Sequence, residues 1–234
     1  MLSKGDSPNH GSEEENQMKQ MDYRGLVGSI SYLALTTRPD LAFPAHLLSR
    51  FLCNPGLAHW QAARHVLRYL KGTSEVGLTY WKDSEAHLTG FSDADYASCK
   101  DDRKSVAGYC FNYGSGAISW SSKKQTCVAT STTEAELHAL SEALKETLHL
   151  QAILCTLGRR SNATMTGDSQ SCLALAKRDD GSSKAKHFAT RLAFVRDIMK
   201  DETRGLKLDF VATTDNQADL FTKGLGKTKT QHHL

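Results

Sequence analysis

The stretch from Gly90 to Leu140 decides the fold. It opens on Gly90-Phe91-Ser92-Asp93-Ala94-Asp95 and closes with Ser131-Thr132-Thr133-Glu134-Ala135-Glu136-Leu137. The first segment ends a strand-like run on carboxylates, and the second begins a helix with serine at its cap. Between them, Ser105 to Asn112 and Ala117 to Ser121 read as short strands about Gly114-Ser115-Gly116, a hairpin signal. A three-stranded antiparallel ribbon would thus run into a helix that brings one acid back beside the first strand. Two more acids, Asp168 and Asp219, each stand at a strand-to-helix junction. Acids gathered in this way suit metal-dependent phosphodiester chemistry.

Upstream, Met1 to Met21 is polar and nearly free of large apolar residues, so it reads as a disordered tail. Leu26, Val27, Ile30, Leu33 and Leu35 give the next segment a broad apolar helical face. Pro39 fits the first turn of a second helix carrying Leu41, Phe43, Leu47, Leu48 and Phe51, with Pro44 implying a kink or a late start. After the turn at Asn54-Pro55-Gly56, a third helix carries Trp60, Ala63, Val66, Leu67 and Leu70. Its Arg64, Arg68 and Lys71 suit either a nucleic-acid backbone or a solvated helix face.

Downstream, the first strand of the main domain covers Ala86 to Asp93, and the long helix runs from Thr132 to Leu157, stopped by Gly158. Thr164 to Gly167 is a buried strand, Ser169 to Arg178 a helix, and Asp179 to Lys186 a polar loop. His187 to Asp201 is a helix, Leu206 to Val211 the last strand, and Gln217 to Lys223 a short last helix. Strands first, then strands alternating with helices, argue for an α/β sheet of mixed direction. Four segments follow: a tail (1–21), a helical unit (22–82), the α/β domain (83–224) and a basic loose tail (225–234).

Composition narrows the class. With 39% hydrophobic and 24% charged residues the chain is neither disordered overall nor a membrane protein, and no apolar run is long enough to span a bilayer. The six scattered cysteines form no C-x-x-C pair, which implies reduced thiols in an intracellular compartment. The net charge of +3 divides into −2 for Met1 to Met21 and +5 for the rest, a body mildly suited to a polyanion.

The helix start at Ser131 separates two glutamates. Ser131-x-x-Glu134 matches a capping box, which makes Glu134 structural. Glu136 lies about 200° further round the helix, at the edge of the apolar face formed by Leu137, Leu140, Ala143 and Leu144. A carboxylate turned toward a sheet needs a partner, and a metal ion supplies one. Thr214-x-x-Gln217 repeats the capping pattern and Asp219 repeats the placement of Glu136, although an acid in a first helical turn also serves the helix dipole. Asp168 read alone is a cap or turn residue. Asp93 and Asp95 share a strand face, so spacing does not choose between them.

Several segments resemble the ribonuclease H region of copia-type retrotransposon polyproteins. They are Phe91 to Tyr96, Asp101 to Ser105, Ala117 to Gln125, Ser131 to Leu137, Asp168-Ser169-Gln170-Ser171 and Ala218 to Lys223. Tyr23 to Ser29, Thr37-Arg38-Pro39-Asp40 and Val66 to Thr73 resemble the end of the reverse transcriptase that precedes it, so 22–82 would be its helical remnant. The resemblance runs in order from Tyr23 to Leu225.

It implies a ribonuclease H-like five-stranded mixed sheet flanked by helices, and an acidic tetrad on Asp93, Glu136, Asp168 and Asp219. The first acid falls on Asp93 because it follows Ser92 in the motif. It implies two Mg2+ ions about 3.5–4 Å apart, with Mn2+ as a substitute, and hydrolysis of the RNA strand of an RNA–DNA hybrid during reverse transcription. The hybrid would be read by its shape and 2′-hydroxyls. The rest of a reverse transcriptase is the implied partner, and a cytoplasmic virus-like particle the implied setting. Arg103, Lys104, Lys123, Lys124, Gln170 and Lys186 are candidates for backbone contact, on charge and loop position.

Lys186-His187 and Arg191 fit the family pattern, but Ala189 and Ala193 stand where it usually has an acid and a later histidine. A satisfied structural histidine is the reading for His187. No Y-x-D-D polymerase motif is present. The alternative reading is a decayed or repurposed fragment that holds hybrid but cuts poorly; a third has Tyr23 to Thr73 as a protein-docking segment.

Overall fold

The computed structural model describes residues 2–82, 84–159, 162–178 and 189–233. Lys186 and His187 lie outside them. The central sheet contains β1 (Leu88–Asp95), β2 (Val106–Tyr113), β3 (Gly116–Lys124), β4 (Ala163–Gly167) and β5 (Leu206–Phe210), in the order β3-β2-β1-β4-β5. β1, β2 and β3 pair antiparallel, whereas β4 runs parallel to β1 and β5 parallel to β4. This is the five-stranded mixed sheet expected of a ribonuclease H-like fold. Gly114, at φ +63°, lets the chain turn between β2 and β3 within two residues.

One helix dominates the face of the sheet. α5 (Thr132–Thr156) buries Leu137, Leu140, Ala143 and Leu144, residues recurring at helical spacing, against Leu88, Phe111 and Met165. Each fully buried large apolar side chain contributes about 1.5–3 kcal/mol. Gly158, at φ +71°, ends this helix, donating its amide to Cys155. α6 (Gln170–Lys177) and α7 (Ala189–Lys200) add Leu173, Leu192, Val195 and Ile198 to the same core.

A second core lies upstream, among α1 (Glu13–Lys19), α2 (Tyr23–Thr36), α3 (Ala42–Ser49) and α4 (Leu57–Gly72). Pro44 falls in the first turn of α3, where its missing amide has no partner to lose, so the late start holds. The expectation of a disordered tail over 1–21 is overturned. Met18 is buried in this core, Glu14 Oε1 accepts from the Leu57 amide at 2.7 Å, and Ser3 O meets His59 Nε2 at 3.2 Å. These contacts are remote in sequence, so local composition carried no sign of them. The C-terminal tail also departs from a loose coil, since α8 (Lys227–His233) is an exposed helix.

The two cores meet along β3. Trp120 Nε1 donates to Ala34 O at 2.7 Å, and the Lys124 amide donates to His46 Nε2 at 3.0 Å. All six cysteines are free thiols. No helix among the described residues is long and apolar enough to cross a membrane.

Candidate active site

The site forms where β1 and β4 end side by side. Asp93 is the sixth residue of β1 and is buried, although the strand's other residues on its face, Thr89, Phe91 and Asp95, are only partly so, and Asp168 directly follows β4. Asp219 sits in the short 3-10 turn Gln217–Phe221. That turn packs so tightly on β2 that a Cβ on Gly108 would meet Phe221 Cβ at 2.6 Å. Gly108 pairs with Asp93 across the strands, so its lack of a side chain lets Asp219 approach Asp93. The carboxylates of Asp93, Asp168 and Asp219 each offer an oxygen, and these oxygens lie within 4.8 Å of one another.

Glu136 enters from the edge of the apolar face of α5. Its carboxyl lies near enough to feel the charges of Asp93 and Asp168, but outside the group of three oxygens. Burial, reinforced by the charges of Asp93 and Asp168, pushes its pKa up to about 9. Asp93 is raised as well, to about 6, chiefly by burial, while Lys223 and a hydrogen bond from Thr222 oppose the rise. So many acids cannot all remain charged in a dry site unless cations join them.

One cation is already supplied by the chain. Lys223 Nζ lies 2.7 Å from Asp219 Oδ1 and 3.6 Å from Asp93 Oδ2. Thr222 Oγ1 donates to Asp93 Oδ2, and Asn216 Nδ2 donates to Ser92 O at 3.1 Å. Sequence reasoning assigned no role to Asn216, Thr222 or Lys223. The available signal was spacing: Thr222 and Lys223 follow Asp219 by three and four residues and so return to its side of a helical turn.

Both capping-box readings need correction. Ser131 Oγ accepts from the Glu134 amide at 3.1 Å, but Glu134 Oε2 reaches back to the Thr130 amide at 2.6 Å, one residue beyond the cap. Glu134 is thus structural, with a different partner. At the last helical turn the cap is Asn216, accepting from the Ala218 amide, while Gln217 Oε1 accepts from Asn112 Nδ2. Ser169, accepting from the Cys172 amide, is the cap of α6, which leaves Asp168 free of that duty.

Asp95 is less buried than Asp93. Its backbone carbonyl accepts from Ser98 Oγ at 3.2 Å, and its carboxylate lies outside the group of three oxygens. Its pKa is raised by burial, against opposition from Ser98 and Lys223.

The candidate backbone contacts are divided by the structure. Asp95, Val106 and Lys124 stand level across three strands, so Lys123 and Lys124 share the sheet edge of the acids, about 10 Å away. Lys123 is exposed, beside a groove lined by His138 and Arg191. Lys124 and Lys104 both pair with Asp102, at 2.8 and 3.9 Å. Arg103 is exposed in a left-handed turn at φ +55°, and Gln170 is exposed at the start of α6, two residues from Asp168. Lys186 lies outside the described residues.

No family model matches the chain. It is 41% identical, over 93% of its length, to the retrovirus-related Pol polyprotein from transposon TNT 1-94 of Nicotiana tabacum, and spans 16% of that protein. It is 47% identical over 57% of its length to secreted RxLR effector protein 161 of Plasmopara viticola, covering 94% of that chain. Among solved structures, the foamy viral protease-reverse transcriptase dRH in complex with double-stranded DNA aligns over 86% of this chain and 35% of its own. The TM-score is 0.50 at 13% identity, a likeness of fold alone.

Proposed function

Because the chain belongs to the copia-type family of retrovirus-related transposon Pol polyproteins, we propose that residues 83–224 act as a ribonuclease H, hydrolysing the RNA strand of RNA–DNA hybrids during reverse transcription. The observation that carries this reading is the meeting of Asp93, Asp168 and Asp219 oxygens within 4.8 Å at the ends of two parallel strands. The donors are all carboxylates, the hard oxygen set that suits Mg2+ or Mn2+, and a lysine ammonium already sits among them as a stand-in charge. The residues fit such a cation.

Asp93, Glu136, Asp168 and Asp219 would hold the divalent ions. Bound there, such ions supply an activated water and stabilise the departing 3′ oxygen. Thr222 donates to Asp93 Oδ2, the same oxygen that lies 3.6 Å from Lys223 Nζ, and so helps to hold that carboxylate in place. Burial and the neighbouring acids favour the protonated form of Glu136, and positive charge brought to the site would favour its carboxylate. The exposed Arg103 and Lys123, on the sheet edge that carries the acids, would follow the hybrid's phosphates. The rest of a reverse transcriptase is the proposed partner.

The test is a hybrid labelled on its RNA strand, incubated with the chain and with its Asp168→Asn variant, in Mg2+ and in chelator. Cutting by the parent chain that is lost in both the variant and the chelator is expected. If neither protein cuts but both retain the hybrid, a binding role replaces the catalytic one. Two observations favour that second reading. A relative of which this chain covers 94% bears the name of a secreted effector, as a repurposed chain would. Ala189 and Ala193, exposed together at the start of α7, offer no side chain to substrate where the family pattern has an acid and a histidine.

A further inference from the structure

Among the described residues, Lys223 brings a basic side chain into the acidic cluster. Its ammonium is 2.7 Å from one carboxylate and 3.6 Å from another, both on side chains almost sealed from solvent. Its own side chain is 35% exposed, so it reaches in from the mouth of the site. A position between two carboxylate oxygens is also where a divalent ion would be held, and two cations cannot share it at such distances without strong repulsion. The lysine stem has four rotatable methylenes and an open side toward solvent, so it can leave.

We propose that Lys223 is a resident counter-cation of this site. It neutralises the cluster while no metal is bound and withdraws when a divalent ion enters, so that it sets the metal concentration at which the site fills. This rests on the reading of the cluster as a divalent-cation site. The lysine stands four residues after Asp219 within one tight turn, and Thr222 beside it is anchored to Asp93. Its backbone is therefore fixed, and only the side chain must move. Without Lys223 the buried acids would face one another with a positive charge fewer. The metal-free protein would be less stable, and a divalent ion would enter without having to displace anything.

The test compares the full chain with its Lys223→Met, Lys223→Arg and Asp168→Asn variants. Mn2+ binding is followed by the loss of the free-ion paramagnetic resonance signal, and melting temperature is measured in chelator. Lys223→Met is expected to bind Mn2+ at a midpoint about tenfold lower than the parent, the effect of removing one nearby competing charge. It should also melt lower in chelator, whereas Lys223→Arg stays near the parent on both measures. If Lys223→Met folds only when Mn2+ is present and unfolds reversibly on chelation, the same role is upheld in its extreme form. An unchanged midpoint in Lys223→Met, alongside binding that Asp168→Asn abolishes, overturns the inference and leaves the cation site standing. Failure of Lys223→Met to fold even with Mn2+ makes Lys223 a packing residue and also overturns it. If the parent binds no Mn2+, or Asp168→Asn binds as the parent does, the cation site itself falls.

Discussion

Thr222 places a fully buried hydroxyl against Asp93 Oδ2, and that contact helps to hold the carboxylate in its orientation. Replacing it by valine keeps the shape and removes the donor, so Asp93 loses the bond that orients it. Partners that orient a ligand typically matter about 10–100-fold in metal affinity or activity. We expect Thr222→Val to lose hybrid cleavage on that scale, measured at single turnover, while Thr222→Ser keeps most of it. Equal cleavage by the parent chain and Thr222→Val would show that the contact is incidental. The choice between Asp93 and Asp95 belongs to this scale too. Both lie on one strand face, so their period-two spacing is silent; they differ in burial and neighbours, which depend on a turn more than a hundred residues away.

At the level of elements, the strands and helices were legible because their apolar periodicity is strong. The long helix α5 shows this, with its serine cap at Ser131 and its glycine stop at Gly158. What was not legible were contacts between distant pieces. Residues 1–21 read as disordered, yet Met18 is buried in a core built from α2, α3 and α4, which local sequence does not encode. The capping pattern pointed correctly to Ser131, but the Glu134 carboxylate chose Thr130, a choice of rotamer that four residues of sequence do not encode.

The seam between α3 and β3 carries a pH dependence of its own. His46 accepts from the Lys124 amide, and burial, with Arg50, Lys124 and Lys123 nearby, lowers its pKa from 6.5 to about 4. The unfolded chain therefore binds this proton more tightly than the folded one. Stability present above pH 6.5 is lost as pH falls toward 4. His46→Gln keeps an acceptor without the titration, so its melting temperature should fall less steeply over that window than the parent's. Parallel slopes would contradict the assignment.

Across the whole molecule, two hydrophobic cores share the seam along β3, and the acids collect at the edge where the parallel strands end. Fold class and chain order were readable because motifs from Tyr23 to Leu225 follow one another in the expected sequence. The lysine inside the cluster was not, because its meaning depends on a turn that closes against Gly108. That closure brings Asp219 beside Asp93 and Asp168, acids from three separate segments, an arrangement with little structural benefit unless cations fill it.

The most direct test of that conclusion is cleavage of a hybrid labelled on its RNA strand, in Mg2+, by the chain and by its Asp93→Asn and Asp95→Asn variants. We predict cutting that needs the metal, disappears in Asp93→Asn, and stays within about tenfold of the parent in Asp95→Asn. Cutting that survives in Asp93→Asn, or fails equally in both variants, would contradict a catalytic centre built on Asp93.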